Sequence, residues 1–162
     1  MEDNEASVDL TFAGAIRGKI ERWLDQEGWT VEPRSGEGVV WALLAVDRLK
    51  RRLVISQHKG HEDRVLIEAR VVPSVEQAER LTEAPSTLAM DLIWDIRFEL
   101  NRMGIDFQGV HLPFQRALLT EAIYFEGAFD SGLAKDTFFQ RVEHIRRGIA
   151  MVQFLLQRRL IG

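Results

Sequence analysis

VVWALLAVDRLKRRLVISQHKGHEDRVLIEARVV, residues 39–72, is the stretch that decides the fold. It contains three apolar segments, at 39–46, 52–58 and 64–72, each rich in Val, Ile or Leu and each bounded by charged residues or glycine. Short apolar segments of this length, separated by turn residues, are typical of strands joined in an antiparallel meander. The sequence therefore predicts three consecutive strands at its centre.

On the N-terminal side of the meander the apolar residues follow a helical period. Their spacing predicts an amphipathic helix over residues 10–27, with Gly28 as the residue that ends it. The segment WTVEP at 29–33 is then a short extended piece, and the glycine-containing run at 35–38 is a turn.

On the C-terminal side two helices follow Pro73. Ser74, with a glutamine three residues later, predicts a capping box and a short helix over 75–83. Ser86 is the expected cap of a longer helix that reaches Met103, with Gly104 as its terminator.

The remaining sequence predicts two strands, at 105–112 and 117–126, and one long helix from Lys135 to Leu160. Strands grouped in this way indicate an α+β fold, here an antiparallel sheet of five to six strands backed by helices. The order is helix, strand meander, helices, strand pair and long helix.

Charge is concentrated at the N-terminus. Four of the 25 acidic residues lie within the first nine positions, so the 21 that remain equal the 21 basic residues. We expect a flexible acidic N-terminus over 1–9 and a single domain over 10–162. Because that domain has balanced charge, we expect neither nucleic acid nor an anionic membrane as a partner.

The composition also limits the chemistry and the compartment. The 162-residue sequence contains no cysteine, which excludes disulfides, thiolate metal sites and cysteine nucleophiles. The acidic start is unlike a secretory leader, and the strongly apolar runs are far shorter than the ~20 residues of a membrane span. We expect a cytoplasmic protein.

HKGHED, residues 58–63, is the stretch that most resembles a metal site. Two strand-length segments flank it, so it lies at a hairpin tip, where His58 and His61 would have no surrounding side chains to orient them. We interpret it as a solvated turn and predict no metal. The Gly36–Gly38 pair lacks the third glycine of a dinucleotide site, and no serine lies in a nucleophile elbow. We therefore expect no cofactor and no enzymatic activity.

The helix over 86–103 has more apolar surface than one sheet requires. One stripe, which we expect to lie on the sheet, contains Ala89, Leu92, Ile93, Ile96, Leu100 and Met103. A second stripe, which we call the aromatic strip, consists of Met90, Trp94 and Phe98 at i, i+4 and i+8. A helix that packs only on its own sheet needs a single stripe roughly 100° wide.

The last helix has the same excess. Its main stripe contains Phe138, Val142, Ile145, Ile149, Val152 and Leu156. A second one, the glycine strip, consists of His144, Gly148, Met151 and Leu155. A glycine inside a helix costs about 1 kcal/mol relative to alanine, which suggests that another backbone approaches closely at Gly148.

Two explanations account for these strips. The two helices could cover each other's spare surface within one chain, or part of that surface could form a symmetric dimer. We favour a homodimer whose interface includes Met90, Trp94, Phe98, Gly148, Met151 and Leu155.

The element order, together with IERWLDQEGW (20–29) and YFEGAFDSGLAKDTFFQRVEHI (124–145), resembles the type III secretion chaperone fold, and within it an uncharacterised family of archaeal and bacterial proteins. The resemblance implies a protein-binding module, often a homodimer, with no catalytic residues to assign. WTVEP departs from the family plan, which has three strands before the first inner helix. Ala134 stands where a capping hydroxyl is expected.

These observations predict a non-enzymatic, chaperone-like protein-binding module that forms a homodimer and binds a protein client. The alternative is a small-molecule binding domain with a pocket between the sheet and the helices, lined by Trp23, Trp29 or Trp41.

Overall fold

The computed structural model of the chain describes residues 13–126 and 133–162. Within these residues the helices are α1 (Ala13–Gln26), α2 (Val75–Glu83), α3 (Ser86–Met103) and α4 (Lys135–Leu160). The strands are β1 (Thr30–Arg34), β2 (Val39–Val46), β3 (Arg52–His58), β4 (Arg64–Val71), β5 (Asp106–Gln108) and β6 (Ala117–Tyr124). The six strands form one antiparallel sheet in the order β1-β2-β3-β4-β6-β5. The predicted α+β class with an antiparallel sheet is confirmed.

The chain forms two compact units. Within the described residues, one consists of 13–67 with 122–126 and 133–141, and the other of Glu68–Glu121 with Val142–Gly162. Strands β4 and β6 and helix α4 contribute residues to both. The single domain over 10–162 stays a prediction. The flexible N-terminus over 1–9 and the predicted start of the first helix at residue 10 lie outside the described residues.

In the meander, buried residues of β2 and β3 stand opposite each other. Leu43 pairs with Ile55 and Ala45 with Leu53, and these four side chains are at most 2% exposed. WTVEP contributes to β1, which pairs with β2 along its whole length at the edge of the sheet. An edge position tolerates Pro33, because proline cannot donate a ladder hydrogen bond.

Helix α1 ends as predicted at Gly28. This glycine has φ +79°, the N–H of Trp29 donates to the carbonyl of Leu24 at 2.9 Å, and the N–H of Gly28 donates to Asp25 at 3.0 Å. These bonds close the helix end in the manner of a Schellman motif. Leu24 is fully buried, so the turn also fixes the core face of α1.

The two inner helices begin in different ways. Ser74 and Gln77 form the predicted capping box, in which the Ser74 hydroxyl accepts from the Gln77 N–H at 3.1 Å and the Gln77 side chain accepts from the Ser74 N–H at 3.0 Å. The predicted cap at Ser86 is wrong: Pro85 occupies the cap position of α3, and no side chain caps that helix. Gly104 does end α3, with φ +74°.

Replacing Ser74 by alanine should lower the free energy of unfolding by about 1 kcal/mol, because the N–H of Gln77 loses its partner. Ser86→Ala is the matched control and should change it by less than about 0.5 kcal/mol, because Ser86 caps nothing. Urea denaturation followed by circular dichroism measures both. Equal losses in the two variants would contradict the assignment of the cap.

The strand pair is shorter than predicted. The segments expected at 105–112 and 117–126 are strands only at Asp106–Gln108 and Ala117–Tyr124. Strand β5 stops at Gly109, whose φ is +79° and where a Cβ would lie 2.6 Å from the Arg116 carbonyl oxygen. The long helix spans Lys135–Leu160 as predicted, and its first turn includes a bond from the Phe138 N–H to the Ala134 carbonyl at 3.0 Å.

Candidate interaction surface

The aromatic strip lies on the exposed side of α3. Met90 is 45% exposed, Trp94 61% and Phe98 66%. The opposite side of the helix is buried through Ala89, Leu92, Ile93, Ile96 and Leu100, as predicted, except that Met103 is half-buried. Because the three exposed residues are four positions apart, they stack on consecutive turns of one helix face. The strip is therefore a continuous apolar surface.

Arg97 makes a cation–π contact with the tryptophan of this strip. Its guanidinium carbon lies 5.7 Å from the centre of the Trp94 ring and 5.4 Å from that of the Phe107 ring. Its Nη1 also donates a hydrogen bond to the carbonyl of Val110 at 2.9 Å. Cation–π contacts of this kind contribute about 0.5–1 kcal/mol at exposed sites. The Trp94 ring is thus oriented from one side.

The glycine strip on α4 faces strand β6 and the C-terminal end of α3 within its own unit. Gly148 is buried, and a Cβ built there would lie 2.6 Å from Ile105 Cδ1, 3.3 Å from Leu119 Cδ1 and 3.8 Å from Leu100 Cδ2. One turn beyond the strip, Arg159 pairs with Asp95 of α3.

Met151 and Leu155 fall between these two contacts, on the same side of α4, and both are half-buried. The atoms closest to Gly148 are therefore side-chain atoms of its own unit. The second backbone that the sequence suggested at this position is not among them. The place of Gly148, Met151 and Leu155 in a dimer interface stays a prediction. The main stripe of α4 is buried as predicted, except that Ile149 is half-buried.

Glu121 and His144 form a contact that the sequence did not indicate. Glu121 on β6 is 5% exposed, and its Oε1 lies within hydrogen-bond distance of His144 Nδ1 on α4. A buried carboxylate requires polar partners, and the imidazole supplies one. The available signal was the alternation in β6, which places Glu121 on the same face as Leu119 and Ile123.

The HKGHED segment forms the turn between β3 and β4. The N–H of His61 donates to the carbonyl of His58 at 3.1 Å, and Gly60 has φ +79°. His58 is half-buried and lies 3.3 Å from the Ser56 hydroxyl, whereas His61, Glu62 and Asp63 are exposed. Within the part of the chain that the structure describes, no three His, Cys, Asp or Glu residues come together as metal ligands.

The tryptophans of the alternative pocket lie in or beside the core. Trp41 is 5% exposed, and its Nε1 donates to the side-chain oxygen of Gln57 at 2.8 Å. Trp29 is 7% exposed. The ring of Trp23, which is half-buried, lies 5.8 Å from that of Phe138. The small-molecule pocket stays a prediction.

Among the helices within 13–126 and 133–162, none combines the length and the apolarity needed to cross a bilayer.

Comparison with known proteins places this fold in a family. The family described as "Uncharacterized conserved protein (DUF2299)" matches residues 16–156, which is most of the chain. The chain belongs to the DUF2299 family. This DUF2299 chain also matches the crystal structure of an uncharacterized protein from Methanothermobacter thermautotrophicus, with a TM-score of 0.80 and 26% sequence identity. The match covers 90% of this chain and 99% of that chain. No curated protein matches it.

The family assignment confirms part of the resemblance. The predicted uncharacterised family is shown, and the similar structure is archaeal. The type III secretion chaperone-like fold stays a prediction for this DUF2299 chain.

Proposed function

We propose that the chain is a non-enzymatic protein-binding module with a type III secretion chaperone-like fold, and that it acts as a homodimer through the aromatic strip. The observation that supports the proposal most strongly is the exposure of Trp94 and Phe98, 61% and 66%, on consecutive turns of α3. Large exposed apolar patches on a folded protein mark interaction sites. The element order that motivated the resemblance also matches the observed order.

The strip is suited to pairing with a second copy of itself. Met90 and Phe98 lie equally far from Trp94 in opposite directions along α3. If a second α3 runs antiparallel across the first, Met90 lies opposite the partner's Phe98 and the two tryptophans meet at the symmetry axis. An interface of this kind uses the same patch on both subunits.

The residue types favour a stable association. Burial of one large apolar side chain contributes about 1.5–3 kcal/mol, and tryptophan is among the residues that dominate interface energetics. Because Arg97 already orients the Trp94 ring, less side-chain freedom is lost when the strip is buried.

The substitution Trp94→Glu tests the proposed dimer. We expect the wild-type chain to sediment as a dimer at micromolar concentration, and the variant to dissociate about 30-fold more readily, which corresponds to about 2 kcal/mol. Leu49→Glu is the matched control, because Leu49 is 72% exposed, lies outside the aromatic strip and acquires the same charge. Circular dichroism checks that both variants fold.

Two results would overturn the proposal. One is a wild-type chain that remains a monomer throughout the concentration range. The other is a dimer that Trp94→Glu and Leu49→Glu leave equally intact, which would place the interface elsewhere.

A further inference from the structure

A groove along α2 forms a second apolar surface within one unit. It has a volume of about 460 Å³ and is lined by Pro73, Val75, Ala78, Glu79, Thr82 and Glu83, which we call the acidic groove. Val75 is 78% exposed and the neighbouring Val72 is 60% exposed. Ligand pockets typically have volumes of about 300–1,000 Å³. This groove is large enough to receive side chains, and it is open along the helix.

The charged residues of the groove all have one sign. Glu79 and Glu83 are its only ionisable lining residues, both are exposed, and neither forms an ion pair within the described residues. They are four positions apart, where like charges on a helix repel each other at a cost of about 0.2–0.5 kcal/mol. The one basic residue of α2, Arg80, pairs with Glu76, whose carboxylate lies 4.0 Å away.

These two carboxylates therefore stand next to each other on α2 without an ion-pair partner among the described residues. A cation on a bound partner would relieve the repulsion and complement the charge. The floor of Pro73, Val75 and Ala78 would receive apolar side chains of the same partner.

We propose that the acidic groove binds a protein segment that combines apolar and basic side chains. The chain's own N-terminus is a poor occupant, since Glu2, Asp3, Glu5 and Asp9 carry the same charge as the groove. The inference rests on the proposed protein-binding function, to which it adds the class of client. The proposed client-binding surface is on α2, whereas the proposed dimer interface is the aromatic strip of α3.

Fluorescence polarisation of a labelled amphipathic peptide of leucine and lysine, spaced as a helix, tests the inference. We expect saturable binding to the wild-type chain and about tenfold weaker binding to the double variant Glu79→Lys, Glu83→Lys. The matched control is Glu32→Lys, Glu37→Lys, which changes the net charge equally at exposed positions outside the groove and should bind within about twofold of wild type. A peptide in which glutamate replaces lysine should not bind.

A milder variant tests whether weaker binding results from a loss of folding. Glu79→Gln with Glu83→Gln keeps a similar helix propensity and should weaken binding in the same direction by a smaller factor. Absence of lysine-peptide binding to the wild-type chain would overturn the inference. Equal weakening by the two lysine double variants would also overturn it, because binding would then follow net charge alone.

Sedimentation of the same variants separates this inference from the proposed dimer. We expect the groove variants to remain dimeric and Trp94→Glu to retain peptide binding. If charge reversal in the groove dissociates the dimer, the occupant is a second copy and the inference fails. If Trp94→Glu abolishes peptide binding and the groove variants do not, the client lies on the aromatic strip and the inference fails, while protein binding stands.

Discussion

Replacing Phe138 by alanine should lower the free energy of unfolding by about 3–5 kcal/mol, the largest loss that we expect from a single truncation. Phe138 is fully buried near the start of α4. Its ring lies 5.8 Å from that of Trp23 on α1 and 5.1 Å, edge-on, from that of Phe139. The truncation removes apolar burial and leaves a cavity that rigid neighbours fill only partly.

A loss of this size matters because a domain is stable by only about 5–15 kcal/mol. Phe154→Ala is the matched control on the same helix: Phe154 is 57% exposed and contacts the Arg158 guanidinium at 5.9 Å, so its truncation should lower stability by no more than about 1 kcal/mol. Urea denaturation of both variants, followed by far-ultraviolet circular dichroism, measures the difference. Similar midpoints for the two variants would show that Phe138 does not belong to the core.

Replacing Gly148 by leucine should lower the free energy of unfolding by about 3 kcal/mol, because a buried helix position would receive a side chain with no space to occupy. Even a Cβ would lie 2.6 Å from Ile105 Cδ1 and 3.3 Å from Leu119 Cδ1, and both of these residues are buried. Ala150→Leu, at an exposed position of the same helix, is the control and should change stability by less than about 0.5 kcal/mol.

A double-mutant cycle isolates the cause. Gly148→Ala alone should be close to neutral, because a gain of about 1 kcal/mol in helix propensity opposes the displacement of Ile105. Ile105→Val removes the Cδ1 atom that stands nearest. In that background Gly148→Ala should therefore raise stability by about 0.5–1 kcal/mol. A loss of stability there would mean that a contact other than that with Ile105 requires the glycine.

The helices and strands followed closely from local pattern. The stretches 39–46, 52–58, 75–83, 86–103 and 135–160 begin and end where the apolar period, the prolines and the glycines predicted. Ser74 and Gly104 act as predicted because a cap involves only residues within one turn of each other. Ser86 failed as a cap because Pro85 already occupies the position before the first helical residue.

The site depended on contacts between residues far apart in sequence. Glu121 and His144 meet only because β6 and α4 pack at one particular rotation and height, which no periodicity in either element specifies. The ion-pair state of Glu79 and Glu83 could not be predicted either. Only the packed structure shows that no basic side chain among the described residues forms an ion pair with them.

The sequence by itself determined which residues of α3 and α4 share a face, because a period of 3.6 residues is a property of the helix alone. It determined that each helix has two apolar faces. Only the tertiary structure decided which of these faces is buried: Gly148 lies against Leu100 and Ile105, whereas Trp94 and Phe98 remain exposed. The reason is that burial depends on what the rest of the chain places against a face.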